Sequence, residues 1–225
     1  MTAALLILAN IIIYCIQRFW IKNMLGKRLM SIGTILTFII WGLTYGLSDF
    51  ATFHIHWLLA IVPLAYLSFF LSMFIVGTKF KKENVFPFSC FRFKGKIETA
   101  LRKESLSNLY SSTNEELLYR WLFMNALIEL TNLPWLAVII TILVFFAVHL
   151  RKKNIIVHMI DIFSFSTIIT IWFYFTVNPI YSILIHILRN QLVICQKYVS
   201  VMAQQRKREK YFRLLKEKSK NEQQN

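Results

Sequence analysis

The 225 residues are 56% hydrophobic and 16% aromatic, with 6 Gly and 4 Pro, well above the roughly 45–50% apolar content of a water-soluble domain. A soluble globular protein is excluded on that ground. A formal net charge of +15 coexists with a mean hydropathy of +0.52 only if apolar spans alternate with basic loops, which also excludes a nucleic-acid face of interleaved basic and polar residues.

A hydrocarbon core about 30 Å thick needs roughly 20 apolar residues per helix. In chain order the pattern predicts spans at 3–20, 29–47, 56–77, 115–132, 134–150, 155–177 and 179–197, an all-α polytopic transmembrane bundle of about seven helices. The first lacks a basic leading segment and a small-residue cleavage site, and reads as a retained anchor. Lys and Arg collect in 18–28, 79–103, 151–153 and from 197 onward, leaving only Arg120 and Arg189 elsewhere, whereas 48–55, 131–134 and 177–179 hold none. Cytoplasmic loops retain such cations, so the N-terminus is expected outside and the C-terminus in the cytoplasm.

Four regions follow. Residues 1–77 are N-terminal membrane helices; 78–113 form a basic cytoplasmic or interfacial segment carrying Phe80, Phe86, Phe88, Phe91 and Phe93; 114–197 form a helical membrane core; and 198–225 form a basic tail. The basic flanks suit anionic lipid. Trp20, Trp41, Trp57 and Trp135 fall near span ends, where an aromatic belt belongs. Cys15, Cys90 and Cys195 are odd in number and far apart, a pattern that supports neither a disulfide framework nor a thiolate metal site.

Arg120 and Arg189 lie inside predicted spans, where a charge costs at least about 2.5–3.5 kcal/mol. The same segments hold Glu115, Glu116, Glu129, His149, His158, Asp161 and His186, so function is sought between residues 115 and 190. His158 and Asp161, three apart, are placed to touch. Glu129, about 21 Å along the helix from Glu115 at 1.5 Å per residue, reads as an interfacial acid without a catalytic part, and His54 and His56 as exposed loop residues.

Three constellations carry the chemistry. The first is Glu115-Glu116-Leu117-Leu118-Tyr119-Arg120, behind Ser111-Ser112-Thr113-Asn114, which offers N-cap residues for a helix opening there. Glu116 and Arg120 share a face in the favourable acid-before-base order, while Glu115 points about 100° away. One carboxylate is thus neutralised by its own arginine and the other stays available to water. The second is Phe145-Phe146-Ala147-Val148-His149, with Phe145 and His149 on one face; a carboxylate and an imidazole brought together can deprotonate a water. The third is His186-Ile187-Leu188-Arg189-Asn190. His186 and Asn190 share a face, either as interhelical hydrogen-bonding partners or as donors to an oxyanion.

The order Glu-Glu-x-x-x-Arg, Phe-x-x-x-His, His-x-x-x-Asn, each on its own apolar helix, resembles the CPBP family of intramembrane peptidases. That family is also called Abi or CAAX-protease-like and includes the Ras-converting enzyme; the resemblance covers roughly residues 105–195. It implies that Glu115 activates water with help from His149, that His186 and Asn190 stabilise the oxyanion, and that Glu116 and Arg120 support the first motif. No His-Glu-x-x-His helix, Gly-x-Gly-Asp or Gly-x-Ser-Gly signature is present, so zinc, aspartyl and serine routes lack their parts. Three N/O ligands plus water describe a catalytic zinc site, which Glu115, His149 and His186 could form. The resemblance implies a metal-free, cofactor-free mechanism instead. The expected protein is a multi-pass intramembrane endopeptidase of a bacterial-type plasma membrane. Its expected partners are a membrane-bound peptide or protein tail and anionic lipid, with no nucleic acid. The rival expectation is a non-proteolytic membrane protein conferring bacteriocin self-immunity by binding.

Overall fold

The computed structural model describes residues 54–76, 96–150 and 156–224, together with Ile39, Gly42 and Leu43. The spans expected at 3–20 and 29–47, the aromatics between Phe80 and Phe93, Trp20, Trp41, Cys15 and Cys90 lie outside the described residues. Among those described, all regular structure is helical. The elements are α1 (Ile55–Val76), α2 (Lys96–Glu115), a π-helical segment (Glu116–Met124), α3 (Asn125–Thr131), α4 (Pro134–His149), α5 (Ile156–Thr176) and α6 (Pro179–Gln224).

The helix ends follow from local chemistry. Asn132 ends α3 in the left-handed region, φ 52° and ψ 22°, with its N–H bonded to the Ile128 carbonyl; asparagine tolerates that conformation. Two residues later Pro134 opens α4 at a position where a missing N–H costs nothing. The α5–α6 junction repeats the device: Asn178 Oδ1 accepts the Ile180 N–H at 2.9 Å, capping a helix that begins at Pro179. Val177, β-branched and at φ 57°, takes the strain of that tight connection.

Among the described residues two helices are long and apolar enough to cross a membrane, Ile55–Ile75 and His158–Thr176, and Pro134–His149 is a shorter apolar helix. They sit within a few residues of three of the expected spans. Large apolar side chains point outward along them, Leu59 at 79% exposure and Phe74 at 85%, with Ile139, Leu143 and Phe163 also exposed; such outward faces fit acyl chains rather than water. Hydroxyls inside these helices bond back to their own backbone, as when Ser68 donates to the Ala65 carbonyl and Thr167 to that of Phe163, which satisfies them without water.

The expected helix start at residue 115 is corrected. Helix α2 begins at Lys96 and leads directly into the π segment, so Ser111 to Asn114 are not caps. Their hydroxyls serve the helix already formed: Ser112 Oγ donates to Asn108 Oδ1 at 2.9 Å, and Thr113 Oγ1 to the Leu109 carbonyl at 2.8 Å. Likewise α6 starts where the last span was expected but continues to Gln224.

Packing divides the chain into two compact units, Met1–Lys79 with Asn108–Arg189, and Phe80–Ser107 with Asn190–Asn225. In the first, α1 and α4 both pack along α5, and the π segment and α3 pack on α4, around a core that includes Tyr119, Trp121, Leu122, Phe145, Phe165, Ile169, Phe173, Tyr181 and Ile185. In the second, Leu101, Ile194 and Cys195 are buried with Tyr198 against them, and Glu104 accepts from Lys197 Nζ at 2.8 Å and Tyr198 Oη at 2.9 Å. Cys195 is disulfide-bonded. The odd count and wide spacing of the cysteines gave no support for a disulfide, because separation in sequence says nothing of separation in space.

Candidate active site

Adjacent glutamates address different histidines. Glu115 is the last residue of α2 and Glu116 the first of the π segment, a widened turn of the kind that recurs at functional sites. Glu115 Oε2 lies 3.3 Å from His149 Nε2, with both side chains partly exposed, 15% and 20%. Glu116 Oε1 instead accepts from Arg120 Nη1 at 3.0 Å and pairs with His186 Nδ1 at 2.6 Å. That second group is sealed: Glu116 and Arg120 are fully buried and His186 nearly so.

Phe145 joins the two groups. Its ring centroid lies 3.8 Å from the Arg120 guanidinium carbon, 4.2 Å from the His149 ring and 6.4 Å from the His186 ring, and Tyr119 meets it edge-on at 5.4 Å. Cation–π contact with a buried ring recovers part of the cost of sealing a guanidinium away from water. Arg120 Nε donates further to Thr170 Oγ1 at 3.3 Å, from α5. Glu116 Oε2 and Arg120 Nη2, both buried, have no hydrogen-bond partner among the described residues, so the triad is not the fully satisfied network that a purely structural ion pair needs.

The hydrogen bonds fix where protons sit. His149 Nδ1 is 2.8 Å from the Phe145 carbonyl oxygen; a carbonyl only accepts, so Nδ1 carries the proton. Neutral His149 then turns the lone pair of Nε2 toward Glu115 Oε2, another acceptor. An imidazolium would instead turn an N–H toward that carboxylate. His186 Nδ1–H donates to Glu116, which also accepts from Arg120. The remaining ring nitrogen, Nε2, is an acceptor in neutral His186 and a donor only in the imidazolium.

Of the residues singled out in the sequence, the structure brings Glu115 to His149, and Glu116 to Arg120 and His186. Asn190 is half-buried on α6. Among the described residues no group of three or more His, Cys, Asp or Glu side chains is arranged to hold a metal ion; His186 is engaged by Glu116. The expected His158–Asp161 contact is corrected: His158 is exposed, and Asp161 pairs with Arg189 at 2.9 Å. Glu129 is half-buried on α3. Sequence reasoning gave no part to Thr170 or Phe165. Phe145 did carry a signal, one helical turn before His149, but was read only as sharing its face.

Residues 106–192 match the family model for type II CAAX prenyl endopeptidase, Rce1-like. The matched stretch holds all three motifs and supports peptidase chemistry in a membrane-embedded family. No curated protein and no solved structure matches the chain.

Proposed function

We propose that the chain, whose residues 106–192 are Rce1-like and of the CPBP family, is an intramembrane endopeptidase that cleaves a membrane-associated peptide or protein tail near the cytoplasmic leaflet. The observation that carries the reading is the contrast between two glutamate–histidine pairs, one partly exposed and one sealed beside an arginine.

With His149 neutral and Glu115 a carboxylate, both side chains are acceptors, and a water that binds beside their contact donates to them and is polarised. The pair takes a proton as the water oxygen bonds to the scissile carbonyl carbon, and returns it to the leaving amine as the carbon–nitrogen bond breaks, which is general base and then general acid work. His186 as imidazolium donates Nε2–H to the oxygen on which negative charge develops, balanced from behind by Glu116. Asn190 is a second donor on the resemblance alone. Glu116 and Arg120 hold His186 and fix its tautomer. The mechanism runs without a metal or cofactor.

The protein is placed as multi-pass in a bacterial-type plasma membrane, with seven spans, the N-terminus outside and the C-terminus in the cytoplasm, and basic loops against anionic lipid. Its substrate is a lipid-anchored tail or a membrane-bound pheromone, bacteriocin or leader peptide. No observation favours the immunity binder. The test is cleavage of lipidated reporter peptides by purified protein in lipid vesicles, with Glu115→Gln and His149→Ala at equal expression. Loss of cleavage in both is expected; undiminished cleavage in both would overturn the reading.

A further inference from the structure

We propose that the Asp161–Arg189 ion pair is a positioning device that sets the rotation of α6 and so holds His186 against Glu116. The idea deepens the peptidase reading and rests on it for its kinetic consequence alone.

Arg189 Nη2 is 2.9 and 3.0 Å from the two oxygens of Asp161 and 3.4 Å from Ser72 Oγ on α1. The pair is largely buried, 12% and 9% exposed at its side chains. Arg189 follows His186 by three residues on α6, and Phe165 follows Asp161 by four on α5, so each couple shares one face of its helix. Phe165 touches both members of the other couple: its ring lies 4.8 Å from the His186 ring, edge-on, and 4.8 Å from the Arg189 guanidinium carbon. Two rungs therefore join the helices, Phe165 to His186 and Asp161 to Arg189, with the cation–π contact as a diagonal brace.

Helix rotation is poorly specified by apolar packing in a membrane, because lipid tails are as apolar as leucine and an exchanged contact costs little. A residue-sized roll of about 100° would carry His186 away from Glu116. It would also turn Arg189 from its carboxylate toward hydrocarbon, at a cost of several kcal/mol. The ion pair thus converts the high cost of an exposed charge into a fixed direction for the imidazole three residues before it. Neither residue needs to reach substrate.

Removing one partner leaves a buried charge alone and risks unfolding, so the informative variant is the neutral pair Asp161→Asn/Arg189→Gln, with Asp161→Glu as the conservative control. Full-length protein in lipid vesicles, labelled with ¹⁵N at histidine, gives a readout independent of catalysis. The His186 Nδ1–H signal, identified by its absence in His186→Ala, is expected at the low field of a short charge-assisted hydrogen bond. It moves upfield in the neutral pair and stays in Asp161→Glu. In parallel kcat falls roughly a hundredfold, with KM within about twofold, as misplacement of a transition-state donor requires. A neutral-pair protein that melts as the wild type does, with the signal and kcat both unmoved, overturns the proposal. If the wild type cleaves no reporter while the signal still depends on the pair, the peptidase reading fails and the positioning role stands.

Discussion

The Arg120 guanidinium carbon lies 3.8 Å from the centroid of the Phe145 ring, and that stacking ties the sealed triad to the partly exposed pair. Phe145 also gives its carbonyl to His149 Nδ1, so one residue sets the tautomer of the proposed base with its backbone and the seat of the arginine with its side chain. Replacing Phe145 by Leu keeps the carbonyl and removes the ring. In a lipid-embedded bundle the loss is of dispersion and cation–π contact, about 1–3 kcal/mol. Thermal melting in vesicles is expected to drop modestly and kcat to fall while KM holds. An unchanged kcat would remove Phe145 from any part in aligning the site.

The two glutamates are expected to fail differently. Glu115→Gln removes a partly exposed carboxylate that lies 3.3 Å from His149, so melting is little changed while cleavage falls by about 10²–10⁴, the worth of a general base. Glu116→Gln leaves Arg120 buried beside a neutral amide, and the expected loss is about 3–5 kcal/mol of stability. The double variant Glu116→Gln/Arg120→Met, carrying no stranded charge, is expected to recover much of the stability and none of the activity. If Glu115→Gln destabilises as much as Glu116→Gln, the division of labour between them is wrong.

How far the site was legible in the chain depends on the reach of each interaction. The bounds of α4 and α5 were legible because apolar runs end at Pro134 and before Pro179, and the Glu116–Arg120 pair because it lies within one helical turn. The start of α2 was not, since residues 96–113 are polar and Ser111 to Asn114 have the composition of a cap; only the backward direction of their hydrogen bonds shows otherwise. Asp161 had His158 one turn away in sequence, yet its partner is 28 residues distant on another helix. Which acid meets which cation across two helices is set by their mutual rotation, a tertiary quantity without a local signature.

A metal-independent mechanism makes a further demand. Glu116 and Arg120 hold His186 by its Nδ1, and among the described residues no set supplies the three protein ligands a catalytic zinc keeps. Incubating purified protein with EDTA or 1,10-phenanthroline is therefore expected to leave the cleavage rate unchanged, because the proposed water is held by two acceptors and activated by proton transfer alone. Loss of cleavage that zinc alone restores would require His149 and Glu115, 3.3 Å apart, to act as ligands, and activation by proton transfer alone would then give way to a metal-bound water.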